Sequence, residues 1–282
     1  MRTPEEIIDL VLNIAKGDDR IRAVTMGGSR ANADCPVDVY QDFDIAFFVN
    51  DVTPFWDNME WIEENFGKPS LVQKPESMEL IPPDNDGNYV YLMIFPDGNR
   101  IDLNITSEKY NDDGEPMLLL LDKDGTFPEI RIAEDYWYIK RPTRKMFEDC
   151  CNEFRWCLNN VAKGIARDEL SYAMEMQNNC VRNMLILMLE WYVGIKYDFK
   201  VSVGKCGKYL KKHLPEDIYE RFKLTYSDAE YDNMWQVAYN TLYLFGDIAR
   251  DVAVKLEFTY NESEEEGIAN YMKQVKEGLL EK

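Results

Sequence analysis

The spacing of apolar residues divides the chain into two parts. In the first part, residues 4–16 place apolar side chains at intervals of three and four, which predicts an amphipathic helix that stops at Gly17. Residues 55–66 predict a second helix. Short apolar runs predict strands at residues 21–26, 43–49, 89–95, 101–105 and 117–121. The turn sequence PDGN at 96–99 joins two of these strands as a hairpin, so this part is an α/β unit with a small mixed sheet.

The second part follows the basic, proline-containing stretch YIKRPTRKMF and has almost entirely helical periodicity. Helices are predicted at residues 145–165, 168–192, 204–213, 216–224, 229–256 and 263–280. We therefore predict two domains, an α/β domain at residues 1–142 and an all-α helical bundle at residues 143–282.

Composition narrows the classes of protein to consider. No apolar run approaches the ~18 residues that span a bilayer, and the first residues lack the apolar core of a signal peptide, so we expect a cytoplasmic protein. The six cysteines have no paired spacing and there is a single histidine, which disfavours a zinc site. The net charge of −20 disfavours nucleic acids and anionic membranes as partners and favours cationic ones.

Candidate chemistry is concentrated where two predicted strands end or begin. Gly28 and Ser29 follow the first strand, and glycine lets the backbone approach a phosphate group while the serine hydroxyl donates to it. Asp42 and Asp44 stand at the entry of the second strand, where alternate residues share a face and can bind one cation, with Mg²⁺ the natural candidate. Asp102 adds a third acid in an otherwise apolar strand.

The order strand, G-S, D-x-D, third acid resembles the signature of the DNA polymerase β-like nucleotidyltransferases. The steps Gly28-Ser29-Arg30 and Gln41-Asp42-Phe43-Asp44-Ile45 resemble more closely those of the aminoglycoside (streptomycin) 6-adenylyltransferases. The similarity covers most of the chain and is strongest in the first 110 residues. It implies that residues 1–142 form the catalytic nucleotidyltransferase domain.

The resemblance also implies an activity and its participants. The expected reaction is transfer of AMP from ATP to a hydroxyl of streptomycin, at the 6-position, with release of pyrophosphate and resistance to the drug as its consequence. Asp42, Asp44 and Asp102 would bind Mg²⁺ and carry catalysis, with Asp102 as the base. Nucleotide binding would fall to Gly28, Ser29, Arg30, Lys205 and Tyr226.

Two alternatives stay open from the residues alone. A nucleotidyltransferase of this fold can act on another acceptor, such as a protein side chain or another small molecule, and a non-catalytic member can serve as a binding module. The presence together of all three aspartates with the glycine and serine favours an enzyme over a binding module. The sequence does not distinguish a monomer from a dimer.

Overall fold

The computed structural model describes residues 1–32, 35–81, 87–110, 114–130, 133 and 135–280. The chain divides into two compact units, Met1–Tyr136 and Trp137–Lys282. The division lies six residues before the predicted boundary at residue 142. Within the described residues no helix is long and apolar enough to cross a membrane.

The first unit contains a mixed sheet, as the sequence predicted, but with six strands instead of the five predicted, together with its helices. In chain order the elements are α1 (Pro4–Gly17), β1 (Ile21–Met26), α2 (Gly28–Ala31), β2 (Phe43–Val49), α3 (Met59–Phe66), β3 (Leu71–Gln73), β4 (Asn88–Ile94), β5 (Arg100–Thr106) and β6 (Leu118–Asp122). The strand order across the sheet is β3-β4-β5-β2-β1-β6. Strands β2 and β5 run parallel, and every other neighbouring pair is antiparallel.

Local sequence explains where the first helices begin. Thr3 caps α1 by accepting a hydrogen bond from the Glu6 backbone N–H, while the Glu6 carboxylate accepts one from the Thr3 N–H. The predicted helix at 55–66 starts later, because Asn58 accepts from the N–H of Trp61 and thereby caps α3. The residues before it form a separate 3₁₀ turn, Thr53–Phe55.

Alternation along the central strands assigns one face of the sheet to the core. In β2 and β5 every second residue is buried, including Phe43, Ile45, Leu103 and Ile105, whose side chains join one apolar cluster with residues of α1 and α3. The intervening residues lie on the opposite face, where Asp44 and Asp102 are only partly buried. The fold thus leaves one face of the sheet available for polar side chains.

The second unit is helical over its described residues. Its helices are α4 (Arg144–Ala166), α5 (Leu170–Glu175), α6 (Arg182–Lys196), α7 (Leu210–His213), α8 (Glu216–Lys223), α9 (Tyr231–Leu256) and α10 (Glu262–Lys276). A π-helical segment, Met176–Val181, joins α5 to α6 inside the predicted helix 168–192. The core includes the stacked rings of Phe154 and Phe245, with centroids 3.7 Å apart.

The predicted helix at residues 204–213 is wrong in its first half. Gly204 and Gly207 have φ angles of +71°, and Cys206 has a φ of 57°, so the backbone leaves the right-handed helical region at these positions. The structure has a 3₁₀ turn at Lys205–Gly207 and a single turn of helix, α7, after it.

Candidate active site

The backbone at Gly28 lies directly against the side chain of Asp44. Strand β1 ends at Met26, and Gly28 turns the chain into α2 with a φ of +64°. A Cβ atom on Gly28 would lie 1.8 Å from Oδ2 of Asp44, so only glycine permits this approach. The N–H of Gly27 also donates to the Asp44 carbonyl oxygen over 2.8 Å. The glycine turn and the second predicted aspartate therefore form one structural unit.

Parallel pairing of β2 with β5 brings the predicted acids together. Asp44 is the register partner of Asp102, and residues paired in this way lie on the same face of the sheet. Asp42 lies two residues before Asp44, just ahead of the strand, and an arginine described below links it to Asp102. The structure thus places all three predicted acids on the polar face, near the residues where the central strands β2 and β5 begin.

Arg100 joins two of these carboxylates and was missed by the sequence analysis. Its Nε donates to Oδ1 of Asp102 at 2.8 Å, and its Nη2 donates to Oδ2 at 2.6 Å, a bidentate pair. Its Nη1 lies 3.3 Å from Oδ2 of Asp42. The available signal was its position two residues before Asp102 in the same strand, which puts both side chains on one face.

The surroundings of these carboxylates favour the binding of a positive charge. Burial raises the pKa of Asp44, and the neighbouring charges of Asp102 and Asp42 raise it further. The pKa of Asp42 is also raised, first by burial and then by Asp102, although Arg100 opposes this shift. A cation beside these carboxylates would favour the ionised forms, and an all-carboxylate oxygen set suits a hard divalent ion.

The described residues contain no three Asp, Glu, His or Cys side chains grouped so that they could hold a metal ion as they stand. At the predicted site, Arg100 is engaged with Asp102 and Asp42. Binding of a divalent ion by all three acids therefore requires that the guanidinium of Arg100 give way.

The guanidinium of Arg30 holds the backbone just before β2, next to Asp42. Its Nε donates to the carbonyl oxygen of Asp42 and its Nη2 to that of Gln41, both over 2.9 Å. Its guanidinium also lies 3.8 Å from the ring centroid of Phe43. Gln41 in turn donates from Nε2 to the carbonyl oxygen of Ser29 at 3.3 Å. These contacts fix the entry of β2 relative to the turn that follows β1.

A cleft of about 260 Å³ opens above this face within the first unit. Gly27, Gly28, Asp44 and Asp102 contribute to its lining. A larger cleft of about 710 Å³ lies in the helical unit, where α4 meets the segment that precedes α10, and it contains none of the predicted site residues.

The family model for streptomycin adenylyltransferase matches residues 1–275 of the chain. The chain belongs to the streptomycin adenylyltransferase family.

The names of two relatives similar in sequence agree with this assignment. An aminoglycoside 6-adenylyltransferase from Campylobacter jejuni is 40% identical over 277 residues, which cover 96% of this chain and 95% of that protein. One from Bacillus subtilis (strain 168) is 39% identical over 280 residues, covering 96% and 97%. A crystal structure of an aminoglycoside 6-adenyltransferase from Bacillus subtilis is 34% identical and covers 98% of this chain and 99% of that chain, with a TM-score of 0.49.

Family membership confirms the resemblance predicted from the G-S-R and Q-D-F-D-I steps. The protein is an enzyme, a nucleotidyltransferase that uses a nucleotide co-substrate. The non-catalytic alternative is thereby set aside.

The remaining two predicted residues of this adenylyltransferase lie in the helical unit. Lys205 is exposed at the start of the 3₁₀ turn Lys205–Gly207. Tyr226 is 53% exposed, and the guanidinium of Arg182 lies 3.5 Å from its ring centroid. Arg182 donates from Nη2 to the carbonyl oxygen of Thr225 at 2.6 Å. The nucleotide-binding roles of Lys205 and Tyr226 stay predictions.

Proposed function

We propose that this adenylyltransferase transfers AMP from ATP to a hydroxyl group of streptomycin, at the 6-position, and releases pyrophosphate. The observation that carries the proposal is the meeting of Asp42, Asp44 and Asp102 on one face of a sheet, against the glycine backbone at Gly28. The choice of acceptor and position follows the family description and the names of the relatives.

The first unit would hold the triphosphate of ATP. The backbone at Gly28 and the hydroxyl of Ser29 would donate to phosphate oxygens, because glycine allows the main chain to approach them closely. Arg30 would act chiefly by fixing the position of the Asp42 carbonyl, to which it already donates. Lys205 and Tyr226, in the helical domain that we place at residues 143–282, would also bind the nucleotide.

Asp42, Asp44 and Asp102 would hold Mg²⁺, since carboxylate oxygens suit a hard cation. A cation would also offset the burial and charge repulsion that raise the pKa of Asp42 and Asp44. When bound, Mg²⁺ supplies neutralisation of the triphosphate and stabilisation of charge on the leaving pyrophosphate. Arg100, released from Asp102 and Asp42, would remain close enough to offer its guanidinium to phosphate oxygens.

In the chemical step, the substrate hydroxyl oxygen forms a bond to the α-phosphorus while the bond to the bridging oxygen of pyrophosphate breaks. A carboxylate oxygen of Asp102 would accept the proton of that hydroxyl. Holding the hydroxyl in line with the leaving oxygen would supply much of the remaining acceleration. The net charge of −20 suits an acceptor that carries guanidinium groups, and we place the reaction in the cytoplasm.

A direct test follows pyrophosphate release from ATP and MgCl₂ with streptomycin and a panel of other aminoglycosides, with the product position determined by NMR. We expect release with streptomycin, and loss of release in Asp44→Asn. The matched control is Asp9→Asn, which removes an exposed aspartate from α1 and should keep full turnover. Release only with a different acceptor would refute the streptomycin assignment.

A further inference from the structure

Two buried polar atoms lie at the bottom of the 260 Å³ cleft without a hydrogen-bond partner. They are Oγ1 of Thr25, a residue only 1% exposed, and Oδ1 of Asn104, and neither has a partner among the described residues. Both residues line the cleft together with Asp44 and Asp102. Unpaired buried polar atoms are costly and uncommon in folded proteins, so their presence beside a cleft indicates a ligand.

Sheet register places these two atoms on opposite sides of a small residue. Thr25 pairs with Ala46, and Ala46 pairs with Asn104. With neighbouring strands roughly 4.8 Å apart, Thr25 and Asn104 are separated by about 10 Å, and the short Ala46 side chain leaves the space between them open. Val90 continues the row beyond Asn104. We call Thr25, Ala46 and Asn104 the floor of the cleft.

The hydrogen-bonding capacity of the two unpaired atoms determines which kind of group the floor can bind. An amide oxygen such as Oδ1 of Asn104 only accepts hydrogen bonds, and the oxygens of an ionised triphosphate also only accept. The partner of Asn104 Oδ1 must therefore carry an O–H or N–H group, while the Thr25 hydroxyl can either donate or accept. A ring that bears several hydroxyl or amino groups meets both requirements.

The position of the floor relates it to the reaction. Asn104 follows Asp102 by two residues on the same face of β5, a rise of about 6.6 Å along the strand. A volume of about 260 Å³ is below the range typical of pockets for whole drug-sized ligands, so it accommodates one part of an acceptor. A ring held on the floor would present a neighbouring hydroxyl toward Asp102.

We propose that Thr25 and Asn104 bind the reacting ring of the acceptor through its hydroxyl or amino groups and so determine which acceptors this enzyme modifies. The inference rests on the proposed function and extends it, because it assigns acceptor recognition to a defined row of the sheet. Neither residue takes part in the bond-making step.

The test measures steady-state kinetics and thermal unfolding for Thr25→Val and Asn104→Leu, each close in shape to the original side chain. We expect KM for streptomycin to rise about three- to tenfold in each variant, as for the loss of one hydrogen bond, with KM for ATP unchanged. Because each change removes an unpaired buried atom, Tm should not fall. Thr25→Ser, which keeps the hydroxyl, should restore KM.

Thr106→Val is the matched control. Thr106 lies on the same face of β5 as Asn104 and is 5% exposed, but its Oγ1 already accepts a hydrogen bond from the N–H of Glu108 at 3.0 Å. This variant should lower Tm and leave KM for streptomycin unchanged, the reverse of the result expected for Thr25→Val.

Three results would overturn the inference. An increase in KM for ATP alone would assign the floor to the nucleotide ribose. Unchanged KM values for both substrates in Thr25→Val and Asn104→Leu would mean that the two atoms face only water. Absence of pyrophosphate release from the wild-type enzyme with every aminoglycoside would refute the proposed function and the identity of the ring together.

Discussion

The replacement Gly28→Ala tests whether the glycine turn exists to keep the Asp44 carboxylate in place. The added Cβ would lie 1.8 Å from Oδ2 of Asp44 and 2.6 Å from its Cγ, far inside van der Waals contact. Because Oδ2 ends a side chain that can rotate, the clash is relieved when the carboxylate leaves its position, rather than by unfolding. The alanine must also accept a φ of +64°.

The two consequences have different magnitudes. An alanine in the left-handed region costs about 1–2 kcal/mol, which corresponds to a decrease in Tm of roughly 2–8 °C for a domain of this size. Displacement of a catalytic group by about 1 Å can cost on the order of 100-fold in rate. Since ordinary contact requires the carboxylate to move by more than this, we expect turnover to fall by at least about 100-fold.

Gly125→Ala separates strain from displacement. Gly125 has the same φ of +64°, lies in the turn after β6, and has no atom within 4 Å of an added Cβ. Pyrophosphate release and thermal unfolding measured on both variants should show similar decreases in Tm and a loss of turnover only in Gly28→Ala. Turnover within about tenfold of wild type in Gly28→Ala would refute the reasoning, as would an equal loss of turnover in Gly125→Ala.

Three further changes test other parts of the structure. Asp42→Asn should lower turnover by about 100-fold or more and leave Tm nearly unchanged, because burial and Asp102 already disfavour its charge; a large decrease in Tm would mean a structural role. Arg30→Lys should destabilise the protein by about 1–2 kcal/mol in urea unfolding, since lysine cannot donate to two carbonyl oxygens and stack on Phe43 together; unchanged stability would contradict this. Burial raises the pKa of Glu190 to about 7. Between the ordinary carboxyl pKa and pH 7 the folded state therefore binds a proton that the unfolded state has lost, and the free energy of unfolding should fall as pH rises through this window. Glu190→Gln should therefore be more stable than wild type by about 1–2 kcal/mol at pH 8, after allowance for partial exposure, and equal to it near pH 4; an equal gain at both pH values would refute the assignment.

Local patterns were sufficient for most elements of the sheet. Alternation identified β2 and β5, and the same period placed Asp42 and Asp44 on one face. Strand β3 was missed because its three residues, Leu71–Gln73, have no buried position and so no apolar alternation. Its place in the sheet comes from pairing with β4, which local sequence does not encode.

The helical unit shows a similar limit. Apolar periodicity predicted the helix 168–192, but the π-helical segment at Met176–Val181 leaves that periodicity almost unchanged. Within it, Gln177 is buried and donates from Nε2 to Oγ1 of Thr241 at 3.2 Å, a partner 64 positions away. The contact depends on how α9 packs, and no spacing within the segment predicts it.

The candidate site depends most on a feature that no local pattern gives, the parallel register of β2 with β5. A shift of one residue would move Asp102 to the apolar face of the sheet and bring a core residue to its place. The turn before β5 is held in position by the start of the chain. Arg2 donates from its backbone N–H and its Nε to Asp97 at 3.1 and 2.7 Å, and Asn99 donates from Nδ2 to the Arg2 carbonyl oxygen at 3.1 Å.

These contacts join residues 95 and 97 positions apart, so they constrain the hairpin only in the folded chain. The same register sets Asp102 opposite Asp44 and Asn104 opposite Ala46. The β2–β5 register therefore fixes the position of the proposed base, Asp102, and that of the acceptor-binding residue Asn104 together. A change in the hairpin that moved one would move the other, which links catalysis and acceptor recognition through a single strand.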